Sequence, residues 1–496
     1  MRKGASVKSI LVLACLQLAL LPLGARAEAP LGAAQQKTNY QATRAYYQQL
    51  LADKGRGAEL GMLMNMLPKG GDLHHHYTGA LYAETYLDWV DKQKYCVYQA
   101  TLRIETKPEQ AQPGAPCLSG SQIKGDNGLY RKLLTLWSDK DFDNHSHDQP
   151  PPDKQFFDTF GYFGGVSGYS PREGLQLLKT RAKAENLQYL ETMLRGAPSG
   201  NSALAANLDG LAQDAAPADI EQALGQAAAA LAADASTAEQ VQRYRQDLAG
   251  FAQGMDDDDF TLRFQTYVSR NNKPSITFAG LYAGFAAAHA NPLVVGLNIV
   301  GPENGIVAMR DYALHMRMIH FLKQRFPDVK LALHAGELVL GMVPPEGLRD
   351  HIRLAVELAG AQRIGHGIDV GHESRPDSLL NEMRRRDVAV EINLTSNQFI
   401  LGVQGAAHPI LLYRKYGVPF VISTDDEGVS RSDISNEYLL YVSRYQPSYD
   451  ELKRTVYNSI RYSFLSMADK ARQQQRLDQR FAQFEARAAA LRKMGR

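Results

Sequence analysis

The chain is expected to fold as an α/β protein, a (β/α)8 TIM barrel carrying an N-terminal helical arm and insertions after its first and second strands. Three observations predict this. Eight short apolar runs rich in β-branched or aromatic residues are spread along 496 residues. The later runs alternate with helical stretches, such as Met309 to Phe326 and Gly347 to Ala359. Several runs end in ionisable residues, as expected where the C-terminal ends of barrel strands gather around one mouth.

The chain opens with Arg2, Lys3 and Lys8, an apolar run from Ile10 to Leu23, and then Ala25-Arg26-Ala27. Residues 1–27 therefore read as a secretory signal cut after Ala27, which predicts an exported protein, periplasmic or secreted. A lipoprotein reading through Cys15 fits less well, because the apolar run continues past that cysteine. No other run reaches the roughly 18 apolar residues that span a bilayer, so no membrane span is expected. The chain has 55 Lys+Arg against 53 Asp+Glu, and four of the basic residues (Arg2, Lys3, Lys8, Arg26) leave with the signal. That balance asks for neither nucleic acid nor an anionic membrane.

Residues 28–66 read as a helical arm and 67–480 as the barrel, whose first strand is "GDLHHHY" from Gly71. Between the first and second strands, residues 92–150 hold prolines, an acidic loop, Cys96 and Cys117, and read as an inserted subdomain. Two cysteines remaining in an exported chain predict a disulfide, and their separation rules out a CxxC zinc pair. The second strand is "LQYLETML" from Leu187, and the alanine-rich insertion at about 200–258 is expected to be helical. Asp256 to Asp259 read as a solvated turn, since four adjacent carboxylates repel. The remaining strands start at Leu262, Pro292, Val329, Gln362, Val388 and Val418. Residues 481–496 read as a charged surface helix. This tail and the arm are the candidate faces for a homodimer.

Within the first strand three histidines stand in a row. Side chains alternate across a strand, so His74 and His76 share one face and His75 takes the other. A lone pair of this kind is as compatible with a polar strand end as with a metal site. Other strands also end in polar groups: His334-Ala-Gly-Glu337 after the fifth, Gly365-His366-Gly367 after the sixth, and Thr424-Asp425-Asp426 after the eighth. A satisfied core histidine explains any one of these endings but not all of them together. His145 and His147 form another HxH, but no strand precedes them, so they read as loop. His315 and His320 sit in a helical pattern, and His408 in a connection.

The segments "MLPKGGDLHHHYTGAL", "VGLNIVGPENG", "LALHAGE", "RIGHGIDV" and "VISTDDE" resemble the adenosine deaminase family of metal-dependent hydrolases, in the family's order from residue 66 to 427. The leader and the cysteine-bearing insertion look like its secreted, growth-factor-related branch. The resemblance implies one zinc ion held by His74, His76, His334 and Asp425. It implies that His366 orients a water and takes its proton, that Glu337 protonates purine N1, that Asp426 meets N7 and that the Gly301 N–H meets N3. The implied reaction is hydrolytic deamination of adenosine and 2′-deoxyadenosine. One departure stands out. Many members carry an aspartate for the ribose 5′-hydroxyl two positions beyond the second strand-one histidine, where this chain has Thr78. "NLTSNQ", Asn393 to Gln398, is expected to shape the pocket. Phe156, Phe157 and Phe160 read either as a lid over a nucleoside or as a buried helix face.

Three competing functions remain. A deaminase of another adenine compound, such as AMP, adenine or a modified adenosine, fits the same motifs. A binuclear hydrolase on the same barrel usually needs a carboxylated lysine ending the fourth strand, where "VVGLNIVG" has none. A nucleoside-binding or signalling protein would have no need of both Glu337 and His366. Cytidine-type deaminases are excluded, because their P-C-x-x-C element is missing.

Overall fold

The structure, a computed structural model, describes residues 32–111, 114–142, 149–211 and 215–494. The expected signal sequence, with Cys15, and the His145/His147 pair lie outside the described residues. Eight parallel strands form one sheet in chain order: β1 (Gly70–His76), β5 (Leu187–Met193), β6 (Thr261–Ser269), β7 (Val294–Val300), β8 (Lys330–Ala335), β9 (Arg363–His366), β10 (Ala389–Ile392) and β11 (Phe420–Ile422). Three short strands, β2 (Cys96–Tyr98), β3 (Ile104–Glu105) and β4 (Cys117–Leu118), form a separate antiparallel sheet in the first insertion. A disulfide joins Cys96 to Cys117, tying β2 to β4.

The sheet curls into a nearly closed barrel. Its first and last strands meet at a parallel bridge between His75 and Asp425. There the Asp425 N–H donates to the His74 carbonyl at 2.9 Å, and the His76 N–H donates to the Asp425 carbonyl at 3.0 Å. The seam of the barrel thus passes through the residues that the family resemblance assigns to metal.

Packing around the barrel follows from composition. Helix Pro274–Ala288 is apolar on every side, a pattern stable only under cover, and almost all of it is buried. The alanine-rich insertion, helices Pro217–Ala233 and Ala235–Ala252, packs beside it, because small side chains let helices approach closely. Asp256 and Asp257 form a turn as expected: Asp257 accepts the N–H groups of Asp259 and Phe260, and Asp256 pairs with Arg263.

The ends of the chain differ from the expected solvated tail. One 28-residue helix, Met467–Met494, begins well before residue 481 and buries Leu477, Phe481, Phe484, Ala488 and Ala489. Its partner is the arm helix Ala33–Ala52, which buries Tyr46, Tyr47 and Leu50. The Thr43 hydroxyl donates to the Glu485 carbonyl, and Tyr449 donates to the Glu485 carboxylate. The charged composition had hidden an apolar stripe, and the arm and tail cover each other within one chain. No helix among the described residues is long and apolar enough to cross a membrane.

Candidate active site

Four strand ends turn inward through left-handed backbone. Gly301 after β7 has φ +96°, Gly336 after β8 has +74°, and the non-glycine residues His366 (+69°) and Asp425 (+62°) end β9 and follow β11. Such conformations cost energy in residues with a Cβ and persist where packing enforces them. Here they aim ring and carboxylate into a single cavity of about 480 Å³, lined by His76, His334, Glu337, His366, Asp425 and Asp426. Glycine is required where these side chains crowd: a Cβ at Gly365 would lie 2.7 Å from the His74 ring, and one at Gly79 would collide with Asp426.

The three histidines of β1 divide by face. His75 points away from the cavity, its Nδ1 2.8 Å from the Thr192 hydroxyl. His74 and His76 turn to the mouth, where ligating atoms of His74, His76, His334 and Asp425 all lie within 4.8 Å of one another. The His76 and His334 Nε2 atoms are 3.2 Å apart, and Asp425 Oδ1 is 3.3 Å from the Nε2 of both His74 and His76. Ligands about 2.0–2.2 Å from a tetrahedral zinc would sit about 3.3–3.6 Å from each other, so the observed spacings suit one ion. Apart from the approach of Asp425, the buried His74 Nε2 has no hydrogen-bond partner among the described residues.

Outer partners fix these rings. His74 Nδ1 is 2.7 Å from Glu391, and His334 Nδ1 is 2.8 Å from the side-chain oxygen of Asn298. An acceptor at Nδ1 places the imidazole proton there and frees the Nε2 lone pair for a metal. Glu391 is held in turn by Arg363, which also pairs with Glu191 beneath the site. Sequence reading missed Asn298, Glu391 and Arg363. The available signal was a polar or charged residue inside an otherwise apolar strand, as in "VVGLNIV", "VAVEI" and "QRIGH".

Glu337 is buried at the cavity wall, its carboxyl 3.6 Å from His366 Nε2. Burial, reinforced by the nearby Asp425 charge, pushes its pKa up to about 8, so it keeps a proton at neutral pH. Its backbone is anchored by Glu303, which accepts the N–H groups of Gly336 and Glu337 at 3.1 and 2.9 Å and is itself flanked by Arg270 and His351. Burial and the neighbouring Asp425 likewise hold the Asp426 carboxyl well above the usual range, and its Oδ1 has no partner. His366 Nδ1 lies 3.0 Å from the Asn397 side-chain amide, so "NLTSNQ" does more than shape the pocket. Phe156, Phe157, Phe160, Met193 and Tyr267 provide the apolar part of the wall, Phe156 being buried and Phe157 and Phe160 half-buried. These rings therefore line the cavity and also pack into the helix face. Thr78 and Gly301 also line the cavity.

Comparison with known proteins adds family and fold. Residues 238–480 match the family model described as adenosine deaminase. The segment includes Gly301, His334, Glu337, His366, Asp425 and Asp426; His74, His76, Thr78 and the phenylalanines of the wall lie before it. The chain is similar to adenosine deaminases of Escherichia coli (strain SMS-3-5 / SECEC) and Yersinia pseudotuberculosis (serotype IB, strain PB1/+), 30% identical to each over 178 residues, covering 36% of this chain and 48% of those proteins. It thus spans about half the length of the curated relatives it matches. Among solved structures, an N6-methyl-AMP deaminase from Arabidopsis thaliana aligns with a TM-score of 0.52 at 16% identity, over 84% of this chain and 98% of that one. An amidohydrolase from B. ambifaria with bound Zn aligns with a TM-score of 0.52 at 18% identity, over 94% and 97%. These two likenesses speak to the fold alone.

Proposed function

We propose, from the premise that the chain belongs to the adenosine deaminase family of metal-dependent hydrolases, that it hydrolyses the 6-amino group from adenosine and 2′-deoxyadenosine, giving inosine or 2′-deoxyinosine and ammonia. The observation that carries this reading is the meeting, in one cavity, of a four-ligand set and a buried carboxyl group, Glu337, 3.6 Å from His366 Nε2.

His74, His76, His334 and Asp425 would hold one zinc ion, which when bound supplies a water whose pKa is lowered to about 7. The chain's own groups then handle the purine. Glu337 donates its proton to N1, so that addition at C6 leaves no negative charge on the ring. Asp426, whose carboxyl is held well above the usual range by burial and the adjacent Asp425, is the group placed to meet N7, an acceptor. Gly301 lies on the cavity wall, where its N–H serves N3. His366 holds the attacking oxygen on the side of Asp425. The aromatic wall excludes water and receives the base and sugar.

A second reading, AMP or an N6-methylated analogue, draws support from the neutral Thr78, which does not repel a 5′-phosphate. Among the described residues no lysine or arginine lines the cavity, and a phosphate dianion would normally be met by such partners. We therefore place the nucleoside first. Comparing kcat/KM for adenosine, 2′-deoxyadenosine, AMP, N6-methyl-AMP and adenine on one zinc-loaded preparation decides: a nucleotide or adenine as best substrate overturns the assignment. We further propose that the protein is exported, which the basic-apolar leader and the Cys96–Cys117 disulfide support.

A further inference from the structure

We infer that His408, acting through Asn397, fixes the tautomer of His366 so that its Nε2 carries the proton and meets the reacting oxygen as a hydrogen-bond donor. This rests on the deaminase reading for what the donor does, but the tautomer itself follows from a chain of hydrogen bonds.

The chain starts at a group whose role is unambiguous. The backbone N–H of Ile410 can only donate, and it points at His408 Nδ1 at 3.1 Å. That nitrogen must accept, because a proton on it would set two N–H groups against each other. His408 is buried, and burial holds it well below the usual histidine range, at about 3, so the ring is neutral with its single proton on Nε2. His408 Nε2 lies 3.2 Å from Asn397 Oδ1. Amide orientation is ordinarily an assignment from the surrounding network, and here the network decides it: flipping Asn397 would face its NH2 against the His408 N–H. Its nitrogen therefore points at His366 Nδ1, 3.0 Å away, and donates to it. The Asn393 amide approaches the same nitrogen at 3.5 Å, too far to set the direction. With Nδ1 accepting, the proton of the His366 ring lies on Nε2, the atom that faces Glu337 and Asp425.

This revises the role the resemblance implied for His366. An imidazole whose free nitrogen is already protonated does not take the water's protons, which pass in the course of the reaction to the departing amino group and back to Glu337; it holds an oxygen that has lone pairs to offer. His408 and Asn397 touch neither substrate nor reacting atoms and are positioning residues. His74 and His334 show the opposite arrangement: acceptors at Nδ1 free their Nε2 lone pairs for a metal. Two tautomers are thus set around one cavity by the sign of the partner behind each ring.

The test is a long-range 1H–15N correlation spectrum of histidine-labelled, zinc-loaded protein, with His366 assigned by its loss in His366→Gln. The expected spectrum shows unprotonated Nδ1 and protonated Nε2 at His366. In Asn397→Asp, where a carboxylate replaces the donor, the pattern should invert, and kcat should fall at least about 10²-fold with zinc content and nucleoside KM little changed. His408→Phe, which frees the Asn397 amide to turn, should give a mixed pattern and a smaller loss of kcat. A protonated Nδ1 at His366 in the unaltered protein overturns the inference, as does an unchanged pattern in folded Asn397→Asp. The spectrum reports the tautomer whether or not adenosine is deaminated. Failure of the deaminase reading would appear instead as an inactive protein with the expected spectrum.

Discussion

The two ends of the barrel treat their buried polar groups in opposite ways. At the base, Arg363 lies between Glu191 and Glu391, donates to the Tyr462 carbonyl and stacks on Phe464. Gln265 bridges Glu191 and the Leu73 carbonyl. At the mouth, His74 Nε2 and Asp426 Oδ1 are buried and have no hydrogen-bond partner among the described residues, while the backbone of His366 and Asp425 is held left-handed. A buried polar group normally finds a hydrogen bond. A base whose charges answer one another is structure; a mouth whose lone pairs converge on a common point has the arrangement that holds a cation.

If the contrast is right, removing a ligand at the mouth should have the largest effect. His334→Ala and Asp425→Ala should lose zinc and all measurable deamination, as read by metal analysis and ultraviolet absorption of the purine. Stoichiometric zinc in either variant would break the comparison. Glu337→Gln comes next: zinc and nucleoside binding should persist while kcat falls by about 10²–10⁴-fold. Near-normal turnover in the metal-replete variant removes Glu337 from the chemistry. Smaller still is the effect of the group joining the two ends. Glu391→Gln keeps an acceptor for His74 but loses its charge, and zinc affinity measured against a competing chelator should weaken about 10–100-fold. The smallest effect is expected on the outward face of β1. His75→Asn should retain zinc and turnover and cost about 1–2 kcal/mol of unfolding free energy in urea, the loss of one buried hydrogen bond. Zinc loss there equal to that in His74→Ala would remove the distinction between the faces.

The mouth was legible because its residues sit where strand periodicity ends. His74, His334, His366 and Asp425 each interrupt or follow an apolar run, and strand alternation separated His75 from its neighbours. The polar residues behind them were less visible. Asn298 and Glu391 occur within strands, and nothing local shows which face they take or which ring they meet, since their partners lie 36 and 317 residues away in sequence. His408 was set aside as part of a connection because its significance lies in Asn397, and only the fold brings the two to His366. The tail failed for a different reason: its apolar stripe is diluted by arginine and glutamine, and the surface it covers, the arm helix, is at the other end of the chain.

The seam between β1 and β11 has a consequence for how the protein becomes active. The two strands that close the barrel are about as far apart in sequence as any pair in it, and the backbone bonds joining them belong to His74, His76 and Asp425. Such distant pairings are late and slow to form. An ion held there would clasp the first strand to the last, so occupancy of the site reports that the whole ring has assembled. Free zinc above its dissociation constant should stabilise the closed ring by about 1.4 kcal/mol for each tenfold rise in concentration. A chain missing either edge strand should have no place to bind it.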